Sequence, residues 1–88
     1  MLIENVIIED KIKKKVLDKH DVTADEIKQV LSGKTLVLKT HSKRYIAIGL
    51  GYRHLTIVFE YSNKTANITT AYPSSKWQIK LYKNKKDR

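Results

Sequence analysis

Arg53 and His54 are adjacent in the chain, and Arg44 and Arg53 are the only arginines ahead of the C-terminal residue. A guanidinium is planar and always charged, and it grips a phosphate through parallel hydrogen bonds. An imidazole titrates near neutrality and can give or take a proton. Such a set suits cleavage of an RNA phosphodiester without a metal. A base takes the proton of the ribose 2′-hydroxyl, positive groups stabilise the charge on the phosphorane, and an acid protonates the leaving oxygen. Arg53, His54 and Arg44 are therefore the candidate catalytic residues. Glu60 shares strand parity with His54 but lies about 20 Å along an extended strand, too far to orient it. His54 reads equally well as a surface histidine flanking a hairpin. His20 reads more readily as a helix-end histidine meeting the last carbonyls.

Tyr45, Tyr52, Tyr72 and Tyr82, with Lys76, are the candidate RNA-binding residues, since aromatic faces interleaved with cations stack on unpaired bases and hold the backbone between them. The competing reading of the tyrosines is the amphipathic edge of a core, and Trp77 reads as a core anchor. No metal or cofactor is expected: His20, His41 and His54 lack ligand spacing, and there is no cysteine. Neither a glycine-rich phosphate loop nor a Ser-His-Asp arrangement can be recognised.

The elements that must position these groups centre on residues 44–72. Three apolar runs, Tyr45 to Leu50, Leu55 to Tyr61 and Ala66 to Tyr72, are separated by turn residues and read as an antiparallel meander. In the middle run Leu55, Ile57, Phe59 and Tyr61 share one face, the core face, and His54, Thr56, Val58 and Glu60 share the other. On this parity Ile57→Ala or Phe59→Ala is expected to be costly, and Thr56→Ala far less so. Upstream, Leu2 to Ile8 is β-branched and reads as a short strand. Ile12, Val16 and Leu17 mark one face of a helix ending near Lys19.

Thr23-Ala-Asp-Glu26 is a capping box, with Val22 and Ile27 placed as a hydrophobic staple, so a second helix starts at Ala24. Gly33 is expected to end it in the left-handed conformation. Thr35 to Thr40 reads as a strand. Pro73 stops the last strand, Ser74 is a fair N-cap, and residues 75–82 read as a short helix. The predicted order is β-α-α-β-β-β-β-α, an α+β fold with an antiparallel sheet and a helical hairpin on one face. Residues 1–83 form a single domain, and 84–88 form a disordered basic tail. Two helices cover one sheet face, leaving the other partly open or covered by the last segment.

The 88 residues suffice for one small core. A hydrophobic share of 41% with 31% charged residues suits a folded domain rather than a disordered chain. The net charge of +9 is unevenly placed. Residues 1–32 carry six lysines against seven acidic groups, whereas residues 33–88 carry twelve basic groups against two acidic ones. A polyanionic partner, nucleic acid or acidic protein, matches that field. The plainer account is a solubilising surface. No apolar run is long enough to span a membrane and no signal segment is recognised, so a cytoplasmic protein is expected.

Several short motifs together resemble a known family. Lys19-His20-Asp21-Val22-Thr23 precedes a capped helix, Arg44-Tyr45 opens a strand, Arg53 leads another, and Thr69-Thr70-Ala71-Tyr72 is followed by Tyr82. From Lys11 to Tyr82 this is similar to the BrnT-type toxins of the RelE/ParE-like superfamily of bacterial toxin–antitoxin pairs. Tyr72 stands where such toxins usually carry Arg, and Gln78 where they usually carry Glu. The resemblance implies an RNA-cleaving toxin neutralised by a cognate antitoxin. The alternative is a non-catalytic nucleic-acid or protein-binding module on the same scaffold, such as a ParE-like toxin acting on a protein target.

Overall fold

The computed structural model describes residues 1–86. The elements follow the expected order: β1 (Asn5–Ile7), α1 (Asp10–His20), α2 (Ala24–Ser32), β2 (Thr35–Lys39), β3 (Arg44–Leu50), β4 (His54–Ser62), β5 (Thr65–Pro73) and α3 (Lys76–Lys86). They build an α+β fold around a five-stranded sheet ordered β1-β5-β4-β3-β2. Hairpins join β2 to β5 in an antiparallel meander, whereas β1 pairs in parallel with β5. The sheet is therefore mixed rather than antiparallel throughout. No hairpin fixes the direction of β1, because a helical pair separates it from the meander.

Strand parity is as the alternation indicates. Leu55, Ile57 and Phe59 are fully buried and share a cluster with Val16 of α1, Val22, and Ile27 and Val30 of α2. Gly49 allows the close approach of α2: a Cβ there would stand 2.7 Å from Val30 Cγ1 and 2.9 Å from Thr35 Cγ2. Between Val58 and Phe59 the register with β5 shifts, leaving Thr69 as the extra residue of a bulge. Lys15 of α1 donates to the Thr69 carbonyl at 2.9 Å, which ties the first helix to that irregularity.

The opposite face is less open than its polar residues imply, because α3 crosses it. Thr56 is fully buried there, its hydroxyl 2.7 Å from Ser74 Oγ and donating to Gln78 Oε1 at 3.0 Å. It is thus no inexpensive position: an alanine would strip a buried network of a partner. Ser74 spends its hydroxyl on Thr56, and Gln78 Oε1 accepts from the Ser75 amide at 2.9 Å. The reach-back bond from the third helical residue therefore secures the start of α3. Trp77 is not a core anchor: it is 63% exposed, since Gln78 and Tyr82, one turn apart, are the residues α3 buries. The helix continues to Lys86, into the segment expected as a tail, and residues 87–88 lie outside the described residues.

Helix ends divide between expected and unexpected. Thr23 Oγ1 accepts from the Glu26 amide at 3.1 Å, as the capping box requires. Thr23→Ala should cost about 1 kcal/mol, read as a lowered denaturant midpoint; an unchanged midpoint would remove that bond from the account. Gly33 is extended, with φ −97°, not left-handed. The left-handed residue is Asp21, φ 55°, which closes α1 as its amide bonds back to Leu17 O. An Asp tolerates that conformation better than most side chains.

Candidate active site

The strands separate the groups that the sequence placed together. Arg44 pairs across the sheet with Glu60 at one end of β3 and β4, and Leu50 pairs with His54 at the other. Both Arg44 and His54 belong to the face that α3 crosses, but about 20 Å of strand lies between them. One phosphate cannot touch both, so the three-residue constellation is split.

Arg53 is committed within the fold. Its Nε donates to Glu26 Oε2 at 2.8 Å, and its Nη2 donates to Glu26 Oε1 at 2.9 Å and to the Asp21 carbonyl at 2.6 Å. The Glu26 side chain is 3% exposed and that of Arg53 27%. Hydrogen bonding to Glu26 raises the Arg53 pKa above its ordinary value, against the lowering effect of burial. The guanidinium also lies over the Tyr52 ring, 5.2 Å from its centroid. Arg53 therefore ties the loop before β4 to the first turn of α2, and its charge is matched by a carboxylate before any substrate arrives.

His54 opens β4 and is half-buried, its carbonyl accepting from the Ser74 amide at 3.1 Å and its ring edge-on to Tyr82 at 5.7 Å. Across the same end of the sheet, Tyr72 pairs opposite Thr56. The Tyr72 hydroxyl accepts from Gln78 Nε2 at 3.2 Å, so the phenolic proton is left to donate elsewhere. His20 does not simply cap its helix. Its ring lies 6.0 Å from that of Tyr72, tilted by 52°. β1 pairs only with residues 65–67 of β5, so among the described residues no strand pairs with the Tyr72 end on that side. The pairing of His20 with Tyr72 was missed in the sequence because the two residues belong to different layers. The one available signal was that both fall within motifs of the resemblance.

The candidate RNA contacts divide likewise. Tyr52 is 73% exposed and Lys76 is exposed, so both remain available to a ligand. Tyr45 is half-buried on the helical-hairpin face, where it stacks on Phe59 at 5.8 Å and meets Tyr61 edge-on. Tyr82 is 5% exposed, with its hydroxyl directed to Lys34 O, so its ring cannot receive a base. Among the described residues no group of three His, Asp or Glu side chains could hold a metal ion. No helix among them is long and apolar enough to cross a membrane.

No family model and no curated protein matches the chain. Its fold is that of the Brucella abortus ribonuclease toxin BrnT, whose crystal structure superposes with a TM-score of 0.68 at 21% identity, covering 82% of this chain and 97% of that one. At that identity the likeness establishes the fold.

Proposed function

We propose that the chain is the toxin of a toxin–antitoxin pair, an endoribonuclease that cuts single-stranded RNA without a metal in the cytoplasm. The fold shared with a ribonuclease toxin supports the class of activity. The observation that carries it is the contact of His20 with Tyr72 near the end of β5, at the same end of the sheet where β4 begins with His54. His54 acts as acid or base on the reacting phosphodiester, and His20 is a second imidazole for the opposite proton transfer. Tyr72, held by Gln78, donates its phenolic proton to a phosphate oxygen. It stands where the resembling toxins carry Arg, so a neutral hydrogen bond replaces a charged one. Arg53 works as a positioning residue, fixing the backbone from which His54 projects.

A cognate antitoxin would bind the part of the face beyond α3. There Leu38, Ile46 and Val58 are half-buried and aliphatic, and the surrounding half of the chain carries the positive surplus, which suits apolar and acidic side chains. Purified protein is expected to degrade single-stranded RNA in the presence of EDTA. Loss of cleavage with EDTA would sink the metal-free mechanism. Wild-type protein that binds RNA but never cuts it, with or without ribosomes, would make this a binding module.

A further inference from the structure

The β2–β3 hairpin frames an open cavity of about 510 Å³ lined by Thr40, His41, Ser42, Lys43, Arg44 and Glu60. Two full cations, an imidazole and two hydroxyl side chains surround one carboxylate. The Arg44 side chain is 55% exposed, and its nearest carboxylate contact runs from Nε to Glu60 at 3.9 Å. That is too long for a hydrogen bond, so the planar fork is not occupied by Glu60. Thr40 Oγ1 and the Thr40 amide both bond the Arg44 carbonyl, which fixes the backbone from which the guanidinium projects. The contrast with Arg53 is direct: three bonds to Glu26 and Asp21 engage the Arg53 fork, while the Arg44 fork makes no hydrogen bond among the described residues.

We propose that this hairpin pocket is a phosphate-binding subsite that holds the backbone of an RNA strand, with Arg44 and Lys43 as its ligands, at a point remote from the bond being cut. The proposal rests on the RNA-cleaving reading and adds a requirement to it. Arg44 and His54 share one face and stand about 20 Å apart along the strands. A substrate must therefore be long enough to reach from the chemistry at the β4 start to the anchor at the far end of β3. Glu60 acts against phosphate in this pocket and tempers its affinity, which gives a second variant of opposite sign.

The test is binding of a fluorescent single-stranded RNA over a range of salt concentrations, with a dinucleotide for comparison, using wild type, Arg44→Gln and Glu60→Gln. Each phosphate neutralised on a single strand contributes about 0.7 to the slope of log affinity against log salt. Arg44→Gln is expected to weaken binding of the longer strand about tenfold and to lower that slope by about 0.7, whereas Glu60→Gln tightens binding. The dinucleotide, too short to span both ends, engages only one of them at a time and binds wild type far more weakly than the longer strand does. If the longer strand binds wild type and Arg44→Gln with equal affinity and slope, the subsite is wrong and the RNA-cleaving reading stands. If wild type binds no RNA at all, that reading falls and the subsite with it.

Discussion

Arg53→Ala is expected to destabilise the domain by about 3 kcal/mol, because it leaves a carboxylate in the interior without its counter-charge. Glu26 is nearly inaccessible to water and its two oxygens both accept from Arg53. The value lies at the lower end of the range for broken buried pairs because the arginine side is partly solvated. For a domain of this size the loss corresponds to a fall in melting temperature of roughly 15 °C. Arg53→Lys should recover only part of it, since an ammonium cannot span both oxygens and the Asp21 carbonyl. With the Arg53 pKa already raised by Glu26, the guanidinium keeps its charge through the working pH range and contributes fully below its ordinary value. Thermal melts of Arg53→Ala, Glu26→Gln and the double variant decide the matter. Additive losses would mean the two residues do not act as a pair. The expectation also alters how activity data are read: lost cleavage in Arg53→Ala at a temperature where the variant is unfolded says nothing of a phosphate contact.

The layers of the fold were legible where a local rule had no competitor. Alternation in β4 identified Leu55, Ile57 and Phe59 as core, and Thr23 with Glu26 identified the start of α2, since each signal depends on a few neighbouring residues. Residues serving two layers were misread. Arg53 looked like a free phosphate ligand because its partner, Glu26, appeared already used as the reach-back member of a capping box. In the folded chain Thr23 accepts from the Glu26 amide, and the Glu26 carboxylate goes to Arg53 instead. Thr56 read as solvent-facing because the helix that buries it lies more than twenty residues downstream, with Trp77 and Leu81 offering a more apolar stripe than Gln78 and Tyr82. The buried stripe of α3 is the polar one, since it must satisfy Thr56, Ser75 and Tyr72 at once. The split of Arg44 from His54 follows from hairpin register: nearly the whole of β3 runs between Arg44 and the turn that returns the chain to Arg53.

His54→Asn should lower the turnover of RNA cleavage by about 100-fold or more, the usual loss when a positioned acid or base is removed. The plain alternative is that the ring is kept for packing, since it stands edge-on to Tyr82 under α3. The two accounts predict different things for the same protein. An edge-to-face contact of this kind is worth about 1 kcal/mol, so its loss lowers the melting temperature by only a few degrees and leaves most molecules folded at the assay temperature. Activity lost by two orders of magnitude in a folded variant would belong to chemistry. Tyr72→Phe provides the internal comparison, because it removes a phenolic donor and keeps the ring against His20. It should reduce turnover by about tenfold, less than the loss of a preorganised charged donor. Cleavage in His54→Asn within a factor of three of wild type would place His54 in the packing account and leave His20 and Tyr72 as the groups to pursue.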